Sequence, residues 1–261
     1  SVASRRPAPP PPARLPGPAQ VAPGALTGAV NAPQSRISEQ TVGLLGAGSA
    51  GIGVADMIRA AMVADGLPDE EARRRFFLVN TKGLLTDART DLNSEQRTYA
   101  QPAAVTGSWQ LRGADRIGLA EVVANVRATI LIGLSTDFGA FTEPIVRELA
   151  EKVGRPIIFP LSNPTARSEA DPANLRRWTG GRALVAAGSP YPPLDLDGRK
   201  VPVAQSNNIF VFPGIGLGAV AVKATRVTDR MIDAAAAALG RMSPALADPS
   251  EPLLPPVGEL L

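Results

Sequence analysis

TVGLLGAGSAGIGVA, Thr41 to Ala55, is the stretch on which the reading of the fold turns. Its apolar run Val42–Leu45 predicts a short buried strand. The run stops at Gly46-Ala-Gly48-Ser-Ala-Gly51. A helical pattern follows, keeping Ile52, Ala55, Met57, Ile58, Ala61 and Met62 on one apolar face. Strand, glycine turn and helix form the context in which G-x-G-x-x-G has a physical meaning. Gly46 permits the tight turn, Gly48 lets backbone approach a pyrophosphate, and Gly51 lets the helix pack closely on the strand. The new helix aims unpaired N–H groups and the positive end of its dipole at the phosphates. The expectation is a dinucleotide-binding α/β fold.

Working outward, strands and helices alternate. Strands are expected at Phe76–Asn80, Thr129–Leu134, Pro156–Leu161 and Ala183–Ala187. Helices are expected at Ser49–Gly66, from Pro68, at Leu119–Val126, from Thr142 (capped), at Ser168–Trp178, Pro213–Arg226 and Thr228–Arg241, with a short one at Ala25–Ala32. Thr81 to Gly107 is polar and reads as loop. This alternation predicts a doubly wound, Rossmann-type parallel sheet. Three segments follow: a disordered or extended proline-rich arm over 1–24, the nucleotide-binding domain over 25–242 and a proline-rich tail over 243–261. In such sheets ligands bind beyond the carboxyl ends of the strands. Those ends carry Gly46–Gly51, Asn80, Ser135, Ser162–Asn163 and Gly188.

Composition narrows the chemistry. The 261 residues include no cysteine and no histidine. Thiolate sites are excluded, as are the usual general base and the commonest metal ligand. Only four lysines occur, Lys82, Lys152, Lys200 and Lys223. The formal charge of +3 is spread mostly over scattered arginines, with no run beyond Arg73–Arg75 and few aromatics, which argues against nucleic acid. No apolar run reaches the length of a membrane span and no signal peptide is visible, so the expected location is cytoplasmic.

Several segments together resemble one family. GAGSAGIGVADMI, GLLT, IGLSTDFGAFTEPIVREL, RPIIFPLSNPTARSEA, WTGGRALVAAGSP, QSNNIFVFPGIGLGA and LLPPVGEL occur in that order between Ala25 and Leu261. The chain resembles the nucleotide-binding domain of bacterial malic enzymes, which oxidise L-malate with NAD or NADP and a divalent metal to pyruvate and CO2. The resemblance implies that Ser49 and Ala50 meet the pyrophosphate through backbone. It implies that Leu134 and Ser135 lie over the riboses, and that Gly188 lets backbone approach the nicotinamide. It places Asn163 between nicotinamide and substrate, and Asn208, with Asn207 beside it, at the substrate carboxylate and the nicotinamide side of the cofactor. An amide suits both places, because it can donate without adding charge. Asn163 also reads as a turn residue before Pro164, and Asn207-Asn208 as a loop cap.

Two departures qualify the resemblance. A dinucleotide fold usually ends its second strand in an acid that bonds the ribose 2′-OH. This chain has Asn80 there, followed by Thr81, with Lys82 and Arg89 nearby. Asn keeps an acceptor but loses the charge, which opens the site to NADP. Gln96, near where NADP-using relatives carry lysine, leans back to NAD. The expectation is NAD, with NADP left open. Second, the resemblance implies that the proton-transfer Tyr and Lys and an acidic Mg²⁺ or Mn²⁺ cluster come from an N-terminal domain. The stretch Ala13–Val21 carries no acid, Tyr99 and Tyr191 do not match the family tyrosine, and no lysine matches the base. The chain is therefore expected to be truncated, without catalytic or metal-binding residues of its own and inactive alone. Malate would bind only after completion by a catalytic domain. A homo-oligomer is left open, as is a non-catalytic nucleotide-binding or interaction module.

Overall fold

The computed structural model describes residues 22–31, 35–109, 111–112, 116–196, 198–206, 210–248 and 251–255. In chain order the elements are α1 (Ala22–Asn31), β1 (Val42–Leu45), α2 (Ser49–Ala64), α3 (Asp69–Arg74), β2 (Phe76–Asn80), β3 (Gly83–Leu84), α4 (Ser94–Arg97), α5 (Ala103–Thr106), α6 (Leu119–Asn125), β4 (Ile130–Gly133), α7 (Glu143–Lys152), β5 (Ile157–Pro160), α8 (Pro172–Trp178), β6 (Leu184–Ala187), β7 (Leu194–Leu196), β8 (Arg199–Val201), β9 (Ala204–Gln205), α9 (Phe212–Ala221) and α10 (Asp229–Arg241).

The main sheet has seven strands in the order β3-β2-β1-β4-β5-β6-β9, and β7 and β8 form a separate antiparallel pair. Every pairing in the main sheet is parallel except that of the two-residue edge strand β3 on β2. The doubly wound reading therefore holds. Side chains alternate across the sheet as a strand's two-residue period requires. Leu44, Ile130, Ile132, Ile157 and Phe159 face one layer, where they meet Leu26 of α1, Ile58 and Met62 of α2 and Leu239 of α10. Leu131, Ile158 and Val185 face the other, against Val123 of α6, Leu149 of α7 and Leu175 of α8. Among the described residues no helix is long and apolar enough to cross a membrane.

The structure corrects several boundaries. Thr81–Gly107 is not all loop: β3, α4 and α5 lie within it, and Gln101 binds the Phe76 carbonyl oxygen from a buried position. Helix α8 starts at Pro172 rather than Ser168, because Asp171 caps it by accepting from Ala173 N while Ser168 and Glu169 are drawn into the core. Helix α7 follows Thr142, whose side chain makes no cap bond, and begins with a proline in its first turn instead. Helix α9 ends at Ala221, before Lys223 turns to φ +50°. Strands β7, β8 and β9 lie in a stretch whose short, mixed composition carries no strand signal.

The proposed arm boundary at residue 24 falls inside α1, which packs on α10, and residues 1–21 lie outside the described residues. In the stretch expected as a proline-rich tail, Ala245, Leu253 and Leu254 are buried with α1 and α10.

Candidate dinucleotide site

The site grows out of the turn that ends β1. Gly46 has φ +111°, and a Cβ there would stand 2.4 Å from the carbonyl of Leu134. Only glycine allows β1 and β4 to close so tightly just past their ends. A Cβ on Gly51 would lie 2.0 Å from Gly46 O, so Gly51 is required for α2 to leave the turn at this angle. Gly48 differs. It is exposed, and a Cβ there would meet nothing within 4 Å. Folding does not demand glycine at 48; the space beside it is open.

That space is a cleft of about 820 Å³ beyond the carboxyl ends of β1, β2 and β4. Leaving β1, the chain winds to β2 on one side and β4 on the other, so the cleft sits at the switch point of the sheet, where such folds take their ligands. Gly46, Gly48, Asn80, Thr81, Leu134 and Ser135 line it. Gly48 is the N-cap of α2, and no side chain caps that helix. Its first-turn N–H groups, those of Ser49 and Ala50 among them, are donors for an anion. An open glycine beside an uncapped helix start fits a pyrophosphate.

At the end of β2, the Asn80 Oδ1 accepts from Lys82 N at 2.9 Å and from Arg89 Nη1 at 3.0 Å. Both of its lone pairs are taken. The acceptor that the sequence assigns to Asn80 is thus spent inside the chain, and the amide group left to meet a ribose is its Nδ2 donor. Arg116, also at the cleft, donates to the Thr81 carbonyl oxygen at 2.6 Å. Gln96 acts on the turn itself. Its Nε2 donates to Ala47 O at 2.9 Å, and its Oε1 accepts from Asn93 N.

A residue not anticipated from sequence lies beneath β4 and β5. Glu169 is fully buried. Its carboxylate accepts from Ser135 N and Ser135 Oγ, both at 2.9 Å, from Ser162 Oγ at 2.6 Å and from Ser162 N at 3.3 Å. It packs where Gly133 has no side chain, since a Cβ there would come within 2.4 Å of Glu169 Cδ. The Ser162 hydroxyl also accepts from Thr136 N, and that of Ser135 from Asp137 N. These bonds hold Thr136 at φ +58°, the left-handed region. The hydroxyls of both serines, Ser135 expected over the riboses and Ser162 among the strand-end cofactor residues, are thereby committed to Glu169. They shape the loop that forms the cleft wall. The only signal for Glu169 in the sequence is a lone acid between Asn163-Pro-Thr165 and the Asp171 cap.

Asn163 is exposed just past β5, before a cis bond to Pro164, and its Oδ1 accepts from Ser189 Oγ. Its Nδ2 remains as a donor. Gly188 is a glycine for an internal reason: a Cβ there would lie 2.2 Å from Leu161 O. Neither residue lines the 820 Å³ cleft. Asn207 and Asn208 lie outside the described residues.

Among the described residues no tyrosine or lysine lines the cleft. Tyr99 is buried and donates to Asp56 Oδ1 at 2.5 Å; burial, and then that bond, push its phenol above the ordinary range. Burial also raises that of Tyr191. Lys152 donates to the carbonyls of Val123 and Ala124. Among the described residues no group of three acidic side chains is placed to hold a metal ion.

Comparison with known proteins agrees with this geometry. The family model described as "Malic enzyme, NAD binding domain" matches residues 15–261. An NAD-dependent malic enzyme of Pseudomonas aeruginosa is 46% identical over 244 residues, covering 94% of this chain and 43% of that protein. One from Aeromonas hydrophila is 47% identical with the same coverage. This chain thus spans less than half the length of these relatives. In structure it is similar to the malic enzyme of Entamoeba histolytica, with a TM-score of 0.68 and 24% identity over 93% of this chain and 44% of that one. The NAD-dependent malic enzyme of Thermotoga maritima gives a TM-score of 0.66, also at 24% identity, over 93% of this chain and 54% of that one.

Proposed function

The chain belongs to the malic enzyme NAD-binding domain family, and from that premise we propose that it forms the nucleotide-binding half of an enzyme that oxidatively decarboxylates L-malate to pyruvate and CO2. The observation that carries the reading is the open space at Gly48, set at an uncapped helix start in the switch-point cleft. Bound there, NAD supplies the hydride acceptor. The residues of this chain bind and orient it. Backbone N–H groups of Ser49 and Ala50 hold the pyrophosphate, Asn80 Nδ2 and Thr81 flank the adenosine ribose, and Leu134 with Ser135 forms the wall at the riboses. Gly51 and Ser162 shape the turn and the loop. Asn163 Nδ2 offers a donor on the nicotinamide side near Gly188, and by the resemblance Asn207 and Asn208 complete the substrate side. Proton transfer at malate, and the Mg²⁺ or Mn²⁺ that the family uses, are assigned to another part of the enzyme, since by the resemblance no Tyr or Lys of this chain matches the family's and, among the described residues, no acidic cluster is placed to hold a metal ion.

The test is an assay of the full chain with L-malate, NAD and Mn²⁺, alone and mixed with the complementary half of the Pseudomonas aeruginosa relative. NADH and pyruvate are expected only from the mixture. Substantial turnover by the chain alone would contradict the assignment of the proton-transfer groups. NAD binding with no turnover in any such mixture would contradict the malate reading.

A further inference from the structure

The second strand ends in Asn80, without the acid that usually repels a 2′-phosphate. Three cations lie near it. Arg116 lines the cleft and gives Nη1 to the Thr81 carbonyl oxygen; the other two, Arg89 and Lys82, are not idle either. Arg89, whose side chain is only 15% exposed, gives Nη1 to Asn80 Oδ1 and to the carbonyls of Gly83 and Leu84. Its Nε and Nη2 grip Asp91 in a two-pronged pair at 3.0 and 2.9 Å. Lys82 Nζ lies 3.0 Å from the same carboxylate. The hydrogen bonds from Arg89 first, then Lys82, hold the Asp91 carboxyl below the usual carboxylate range. A bidentate guanidinium–carboxylate pair fixes geometry as well as charge.

We propose that Asp91 sets the cofactor preference. By clamping Arg89 and Lys82 it withholds both cations from a 2′-phosphate, supplying from a neighbouring loop the discrimination that Asn80 lacks. Asp91 does not line the cleft and acts through Arg89 and Lys82, as a positioning residue. A 2′-phosphate at Asn80 would find Arg89 and Lys82 already compensated, with a carboxylate behind them, and on the cleft wall only Arg116, whose Nη1 is turned to the Thr81 carbonyl oxygen. The 2′-OH of NAD needs only the Asn80 amide, which Arg89 holds in one orientation. This inference rests on the reading of the cleft as an NAD site.

The experiment is calorimetric titration of the full chain and of Asp91→Asn with NAD⁺ and with NADP⁺, with melting curves alongside. Freeing the cations is expected to tighten NADP⁺ about tenfold, the size of a gained charge-assisted contact, while NAD⁺ changes by less than about twofold. An unchanged NADP⁺/NAD⁺ ratio, or a parallel loss of both with a lower melting point, overturns the proposal. Lys82→Met, at a mostly exposed side chain, gives a second arm: with Lys82 already held by Asp91, NADP⁺ affinity should not fall, and a clear fall overturns the clamp. If the native chain binds neither nucleotide, the NAD reading fails and the clamp with it. If it binds NAD⁺ and Asp91→Asn leaves the ratio unmoved, only the clamp fails.

Discussion

Gly48 and Gly51 stand three positions apart in one motif and do different work. A Cβ at 51 would collide with the Gly46 carbonyl, whereas a Cβ at 48 would enter empty space. Gly51→Ala is therefore expected to destabilise the fold by about 1–3 kcal/mol or more, as overpacking does, read as a lower melting point. Gly48→Val should lower the melting point by no more than the few degrees that an apolar N-cap costs and lose NAD binding, because its side chain fills the pyrophosphate space. If both variants lost stability equally, the space at Gly48 would be structural. Glu169 gives a third residue-level test. Removing it leaves the hydroxyls and backbone N–H groups of half-buried Ser135 and buried Ser162 without their acceptor. Each such group costs about 1–3 kcal/mol. Glu169→Ala should lower the melting temperature by about 10 °C or more, at roughly 2–4 °C per kcal/mol for a chain of this size, and weaken NAD binding. A melting point and affinity like those of the native chain would show that the carboxylate organises nothing.

At the scale of elements, the turn after β1 is held from outside by α4, whose Gln96 reaches the Ala47 carbonyl. Gln96→Ala is expected to weaken NAD binding severalfold with little loss of stability, measured by the same titration. The far end of α2 is tied down by charge. Arg36 grips Asp65 just past that helix, and the Ser38 N–H adds a bond. These partners, Arg36 first, lower the Asp65 carboxyl to about 2. A carboxyl lowered on folding contributes stability that is fully present above its unfolded pKa, near 4, and is lost as pH falls toward 2. Asp65→Asn should therefore flatten the fall in stability between about pH 4 and pH 2, and an unchanged acid limb would count against the link.

What could be read from the sequence divides along these lines. The strands β1, β2, β4, β5 and β6 were legible because buried parallel strands are short, continuous apolar runs such as Phe76–Val79. The glycine turn was legible because its geometry tolerates few other residues. Glu169 was not, because its role depends on serines that reach it only after β4 and β5 align. The engaged oxygen of Asn80 was hidden too, since Arg89 reaches it only once β3 folds back on β2. Strands β3 and β9 carry two residues each, too few for any periodicity to show.

At the scale of the whole molecule, the two layers serve different ends. The layer with α6, α7 and α8 encloses the sheet near the β4 and β5 ends, where Glu169 fixes the loop. The layer with α1, α2 and α10 encloses the other face, and Leu253 and Leu254 close it from the far end of the chain. A cleft at the switch point results from these residues, so nucleotide binding should reside in this chain whether or not malate turnover does. Calorimetric titration of the full chain with NAD⁺, run beside Gly48→Val, tests that claim most directly. Saturable one-site binding by the native chain, abolished in a Gly48→Val that still unfolds cooperatively, is the result predicted here. No binding by a cooperatively folded native chain, or undiminished binding by the variant, would contradict it.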